Sequence, residues 1–374
     1  MSLFDLSYYA MMIALILFSC VFLAFPLPKG KEMATYSYTL KFLSVSYAFL
    51  GIFCIIKHHI PIDVIGLPFF VNAIFQAHML GTSHLNMVNS KSIKIRNIII
   101  LTAPAVILIG ANLILVHLYG YHKITNYSIF LENVIAKGMP DIFLRELIFL
   151  YYIAICIHYI VCFYLEAARA KKRIDNYTSD AHYQGLRYIH ASFAMTICVV
   201  ISSLCQTLSC TEEWCSIFNF AILVSYLGLG LFYIQYPKNY YLLLESGIGP
   251  EAIEDKETKI ERIDEQANWA QWKNRIINEE LYTKAGLTII QLAQDLCTNR
   301  TTLSTAINQH EDINFNAFIN NLRINKAKEL MANHPKLSLT DICLQVGYTD
   351  PANFSRHFKN ITGNTPLAWR KNLG

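Results

Sequence analysis

Charge is what this sequence has least of. Asp, Glu, Lys and Arg make up 16% of its residues, against about a quarter in an ordinary soluble domain. The mean hydropathy is +0.32. Metal-ligand patterns are missing too: the ten cysteines include no CxxC pair and no Cys/His cluster at ligand spacing. No Gly-rich phosphate loop, zinc-hydrolase pattern or nucleophile motif occurs in the polar part of the chain. These absences leave no catalytic residue, no metal site and no cofactor to propose, and they disfavour an enzyme.

The averages hide two populations. Residues 1–241 are mostly long apolar runs, whereas residues 270–374 are polar and contain twelve Lys or Arg against eight Asp or Glu. Between them, residues 242–269 form an acidic linker with Gly247, Gly249 and Pro250 near its start. Ile253, Ile260 and Ala267 recur every seven residues there, but charged partner positions argue against a coiled coil.

Crossing about 30 Å of hydrocarbon takes roughly 20 apolar residues. Seven segments qualify: Leu6–Phe25, Tyr38–Ile56, Val64–Val88, Ile98–Leu118, Ile142–Leu165, Leu186–Leu208 and Ser216–Tyr236. The first lacks the basic flank and small-residue cleavage pattern of a signal peptide. With the polar region inside and the N-terminus outside, the inner loops carry ten Lys or Arg: Lys29, Lys31, Lys91, Lys94, Arg96, Arg169, Lys171, Lys172, Arg173 and Arg187. The outer segments carry three, Lys57, Lys123 and Lys137. That asymmetry is the positive-inside bias of an inner-membrane protein. The expected lipid-facing architecture is therefore a multi-pass, seven-helix bundle in the bacterial cytoplasmic membrane.

The third segment is polar for a spanning helix, with Asn72, Gln76, His78, Thr82, Ser83, His84 and Asn86. Such groups need partners away from lipid. They either bond neighbouring helices or line a ligand pocket, for which Asn72, Gln76, His78 and Ser83 are the candidates. Cys210 and Cys215 flank an outer turn, as a periplasmic disulfide or as two separate thiols.

The polar region holds two copies of one helical pattern. In the first, Thr288 and Gln291 form a capping box ahead of Ile289, Leu292, Ala293 and Leu296. A break at Cys297-Thr298-Asn299 leads to a second helix, Arg300–Gln309, with Leu303, Ala306 and Ile307 inward. In the second copy, Ser338 and Asp341 form the box, Gly347 makes the turn, and Asp350-Pro351 opens a helix that buries Phe354, Phe358 and Ile361 and stops at Gly363. Between them, Phe315, Phe318, Ile319, Leu322, Ala327, Leu330 and Met331 predict one long connecting helix.

The runs QLAQDLCTNRTTLS, NFNAFINNLRINKAKELM and LTDICLQVGYTDPANFSRHFKNITGNTPLAWR resemble the AraC/XylS DNA-binding domain over about residues 272–371. Gly347-Tyr348, Phe354, Arg356, Phe358-Lys359, Gly363, Pro366 and Trp369-Arg370 stand in that family's order; Cys343 stands where it usually has alanine. The resemblance implies that the second helix of each pair enters the major groove, the two about one turn (~34 Å) apart. Positions within those helices then place Arg300, Thr301, Ser304 and Thr305 at DNA in the first copy. In the second they place Ala352, Asn353, Ser355, Arg356 and Lys359 there. Arg356 and Asn353 suit bidentate base contacts, and Arg300 and Lys359 suit phosphate.

The expected protein is all-α: a seven-helix membrane module acting as sensor, a linker, and a DNA-binding transcriptional regulator domain in the cytoplasm. Its expected partners are double-stranded promoter DNA, the lipid bilayer and a small-molecule or periplasmic signal. Family analogy adds RNA polymerase, activation rather than repression, and a homodimer. The competing reading is a membrane receptor or transporter whose cytoplasmic domain recruits a protein partner. DNA binding while anchored competes with proteolytic release near Gly247–Pro250.

Overall fold

A computed structural model describes residues 3–24, 34–58, 66–88, 95–122, 124, 140–179, 184–208, 212–245 and 265–373. Among these residues the chain is helical throughout, with no strand. It divides into two compact units: residues 1–168 with 184–241, and residues 169–183 with 242–374.

Among the described residues seven long helices supply the first unit, the ends of the fifth and seventh passing into the second: α1 (Leu3–Ala24), α2 (Ala34–His58), α3 (Leu67–Val88), α4 (Ile95–Tyr119), α5 (Pro140–Tyr177), α6 (Gln184–Leu208) and α7 (Glu212–Glu245). Five are long and apolar enough to cross a membrane: Leu3–Ala24, Arg96–Tyr119, Pro140–Tyr177, Leu186–Cys205 and Glu213–Gln235. Among the described residues, five of the seven expected crossings are thus long and apolar enough. In α2 the described apolar stretch is Thr39–Cys54. Helix α3 is not among the five because of its polar side chains, of which Asn72, Gln76, His78, Ser83 and His84 are buried. Leu, Ile, Val and Phe side chains on the other helices, such as Ile107, Val224 and Leu17, are exposed on the outside of the unit. So apolar an exterior is the reverse of a water-soluble bundle's surface.

Among the described residues one ion pair is fully buried here. Arg145 Nη2 lies 3.1 Å from Asp141 Oδ2, one helical turn back on α5, and both side chains are inaccessible. His122 Nδ1 reaches the other oxygen of Asp141 at 3.0 Å. Asp141 and Arg145 stand four residues apart, a spacing that marks a helical ion pair and that a reading of apolar runs passes over.

The second unit comprises α8 (Glu265–Asn278), a 3-10 turn (Leu281–Thr283), α9 (Ile289–Asp295), α10 (Arg300–Glu311), α11 (Phe315–Asn333), α12 (Leu339–Gln345), α13 (Pro351–Thr362) and α14 (Pro366–Lys371). Its helix starts are set by side-chain oxygens that accept otherwise orphaned backbone N–H groups. Thr288 and Gln291 form the complete capping box. Asn299, Asn314, Ser338, Asp350 and Thr365 cap the helices that come after them. Two hydrophobic clusters fill it. One gathers Leu292, Ala293, Leu303, Ile307, Phe315 and Phe318, and the other Ile342, Val346, Tyr348, Phe354 and Phe358.

Two details depart from expectation. Helix α8 begins at Glu265 and buries Trp269 against Phe318, so folded structure starts inside the stretch read as linker. Ile361, expected inside, is 40% exposed because it sits one residue before the end of α13, beyond the reach of the cluster around Phe358.

Candidate functional site

In the second unit, α9–α10 and α12–α13 are the two helix-turn-helix pairs, and α11 separates them. The turns are built alike. In the first pair, Cys297 N–H and Thr298 N–H donate to Gln294 O and Ala293 O; in the second, Gly347 and Tyr348 donate to Leu344 O and Cys343 O. Cys297 has φ 55° and Gly347 φ 92°. At Gly347 an added Cβ would also meet Thr283 O at 2.4 Å, so this turn needs glycine for both conformation and space.

The copies are locked together through α11. Arg323 is fully buried; its Nε and Nη2 donate to Tyr282 O and Lys284 O, both at 2.7 Å. Its guanidinium carbon lies 5.1 Å from the Tyr348 ring centre, and Tyr348 Oη donates to Asn320 Oδ1. Arg323 is therefore a structural residue. Lys326 pairs with Glu280 at the surface, and that hydrogen bond raises the Lys326 pKa.

The candidate DNA contacts lie on α10 and α13. Ala352, Ser355, Arg356 and Lys359 are exposed, and Asn353 is half-buried. Arg356 Nη2 donates to Asn353 Oδ1 at 2.6 Å, which sets the guanidinium and amide side by side. On α10, Thr301 is exposed while Arg300, Ser304 and Thr305 are half-buried.

Arg300 is covered by a neighbour that sequence reasoning did not supply. Residues 169–179, the last part of α5 together with Thr178 and Ser179, belong to this unit. The Tyr177 ring lies 5.8 Å from the Arg300 guanidinium. Thr178 pairs with Thr288 as an isolated antiparallel bridge, and Ser179 N–H donates to Leu287 O at 3.0 Å. Asn316 Nδ2 donates to Thr178 O and Ser179 O at 3.0 and 2.8 Å, and Asn320 Nδ2 to Ser179 O at 2.9 Å. Ser179 is fully buried. The basic residues Arg169–Arg173 read only as loop charge, because nothing local announces that the next few residues pair with a segment a hundred positions away.

The polar face of α3 resolves into two groups. Asn72 and Gln76 line a cavity of about 100 Å³ in the first unit. Gln76 is also bonded across helices: Nε2 donates to Ser46 O at 3.0 Å, and Oε1 accepts from Ser46 and from Tyr226 Oη, the latter at 3.1 Å. His78 and Ser83 do not line that cavity. His78 Nδ1 is 2.9 Å from Tyr159 Oη and its Nε2 3.3 Å from Thr102 Oγ1, while Ser83 Oγ donates back to Met79 O in its own helix. Two of the four pocket candidates thus come together, and the other two join helices or cap their own backbone. Cys210 lies outside the described residues, so its pairing with Cys215 does too. Among the described residues there is no group of three or more His, Cys, Asp or Glu placed to hold a metal ion.

Two helix pairs joined by one long helix, with a polar face open on the second helix of each, define a helix-turn-helix DNA-binding domain. Residues 292–372 match the family model described as a helix-turn-helix domain, of the AraC type. About 91 residues are 32% identical to an uncharacterized HTH-type transcriptional regulator of Staphylococcus aureus strain COL, covering 24% of this chain and 12% of that protein. The Msm operon regulatory protein of Streptococcus mutans is 29% identical over 89 residues, 24% of this chain and 32% of that protein. The chain thus spans a third or less of the length of these relatives, and the likeness rests on the DNA-binding domain. No solved structure matches the chain.

Proposed function

We propose that this chain is a membrane-anchored, sequence-specific regulator of transcription. Its helix-turn-helix domain reads promoter DNA from the cytoplasm, and its seven-helix module in the bacterial inner membrane senses a signal. The observation that carries the reading is the conjunction of two helix-turn-helix units with five helices apolar enough to span a bilayer in one chain. The helix-turn-helix match and the regulator names of its relatives support DNA binding. The apolar exterior of the first unit and the ten-to-three bias of basic residues support the anchor and an outside N-terminus. We place α2 and α3 in the membrane as well, because α3 hides its polar groups inside the bundle and an odd number of crossings puts both the basic loops and the domain inside.

In this reading Arg356 and Asn353 contact base edges, with Ser355, Ala352, Thr301, Ser304 and Thr305 beside them, and Lys359 and Arg300 contact phosphate. The protein binds its operator while anchored, as an activator that touches RNA polymerase and works as a dimer. Losing a bidentate arginine contact costs about 1–3 kcal/mol, one to two decades in affinity.

The test is crosslinking of tagged full-length protein to DNA in cells, then sequencing, beside Arg356→Ala. Discrete sites upstream of genes that fade in the variant are the expected result. Sites that persist unchanged with Arg356→Ala would remove that residue from the interface. No enriched site under any growth condition would favour a receptor whose domain recruits protein.

A further inference from the structure

We propose that the cavity in the first unit is a binding site for a small uncharged molecule with an aromatic or apolar body and a single hydrogen-bonding group. The proposal deepens the sensor reading and rests on it for its consequence; the binding itself stands on the cavity.

The cavity is lined by residues of α1, α2, α3, α5, α6 and α7, and no residue of α4 lines it. Its wall contains no Asp, Glu, Lys, Arg or His. An ionised ligand would find no counter-charge there, and an unpaired ion in a low-dielectric interior is strongly disfavoured. The occupant is therefore neutral. Rings such as those of Phe53, Phe69, Tyr152 and Phe193 alternate with aliphatic side chains around the wall, which suits an apolar body. Gly81 on α3 makes part of this shape possible. A Cβ there would lie 2.4 Å from the Tyr159 ring, so glycine lets that ring lie flat against the helix as one side of the chamber.

The polar groups on the wall are mostly committed. Gln76 serves Ser46 and Tyr226, Tyr8 Oη donates to Cys54 O at 2.9 Å, and Asn219 Nδ2 donates to Ser7 Oγ at 3.3 Å. Thr196 is different. Its side chain lines the cavity, it is 7% exposed, and its hydroxyl has no hydrogen-bond partner among the described residues. A buried hydroxyl left unsatisfied is costly, and a ligand hydroxyl, carbonyl or amide placed against it recovers that cost. Asn72 also lines the wall, its Oδ1 accepting from Gln76 Nε2 at 3.5 Å, so Thr196 is the anchor left over, and it predicts one polar group on the ligand. Size sets the other limit. About 100 Å³ is somewhat less than the ~150 Å³ apolar void that accepts benzene, so a single ring or a short branched chain fits and a drug-sized molecule does not.

The consequence comes from which helices form the wall. Helix α5 carries Tyr152, Cys156 and Tyr159 on the cavity, and its residues from Arg169 onward belong to the second unit. Filling the cavity repacks α5 against five other helices, and α5 is the element that continues into the DNA-binding unit.

The experiment uses purified full-length protein in lipid nanodiscs, with benzyl alcohol as probe and benzoate and benzylammonium as charged counterparts of the same size. Binding is read by saturation-transfer NMR, with protein-free nanodiscs as the blank for partition into lipid. The expected result is saturable binding of benzyl alcohol alone, weakened about tenfold by Thr196→Val, the loss of one hydrogen bond, and abolished by the cavity-filling Ala77→Phe. Binding that is no greater than in empty nanodiscs, that the charged probes share, or that Thr196→Val leaves intact would overturn the proposal. Thr196→Val keeps the side-chain shape, so the test stands even where Ala77→Phe fails to fold. DNA is absent from the assay, so its failure is separate from failure of the regulator reading.

Discussion

Gly347 and Cys297 occupy the same turn in the two helix pairs, yet only one is a glycine. At Gly347 a side chain meets both a left-handed backbone and the Thr283 carbonyl. Gly347→Ala is expected to lower stability by about 2 kcal/mol or more, since left-handed strain alone is worth about 1–3 kcal/mol. The melting temperature of detergent-purified protein reads it. Cys297 carries the same kind of strain, φ 55°, on an exposed side chain with no packing to lose. Cys297→Gly should therefore stabilise the domain. The gain is small, about 0.5 kcal/mol, because glycine also loses more conformational entropy on folding. A lower melting point in that variant would mean the Cys297 side chain does something its exposure does not show. Gly347 stands out in the sequence as a glycine after a helix; Cys297 does not, because a strained non-glycine turn has no compositional mark.

At the scale of elements, α11 does two jobs. One face buries Phe315, Phe318, Ile324 and Met331 in the clusters of both helix pairs. Another face presents Asn316 and Asn320, whose amides hold the backbone at Thr178 and Ser179. Asn316→Leu takes away the hydrogen bond to buried Thr178 O and one of those to Ser179 O. Leaving a buried acceptor unsatisfied costs about 1–3 kcal/mol. Hydrogen–deuterium exchange around Ser179 should rise in this variant while the cluster around Phe354 and Phe358 stays protected. Equal exchange in the variant and the parent would show that the segment is held without the Asn316 amide. The capping residues of α9, α12 and α13 could be named from the sequence because a cap is a local bargain between a side chain and the nearest free N–H groups. The docking of residues 177–179 could not, because its acceptors are backbone carbonyls, which every residue possesses.

For the whole molecule, the prediction concerns sidedness. A periplasm-dependent reporter inserted after Asn126 should be active, and one inserted after Asp180 silent. Activity at both or neither would break the seven-crossing topology. The count itself cannot come from hydropathy alone. Helix α3 buries apolar side chains such as Phe70, Ile74 and Leu80 together with Gln76 and His78, and Gln76, His78 and Asn86 bond Ser46, Tyr159 and Thr39 on neighbouring helices. Averaged along the sequence, those polar residues offset the apolar ones, and a helix proposed to span the membrane reads as an ambiguous one.

Length of apolar runs, loop charge, helix caps and the doubled helix-turn-helix pattern were all determined by the sequence, because each depends on residues within a turn or two of one another. The tertiary structure alone decided the rest. It separated Asn72 and Gln76, which line the cavity, from His78 and Ser83, which do not. It also left the Thr196 hydroxyl without a partner among the described residues beside that cavity, and brought Tyr177 over Arg300. Periodicity says which face of a helix a residue occupies. Which side chains share a cavity or a bond depends on how helices distant in sequence cross, and that geometry is settled only when all of them pack.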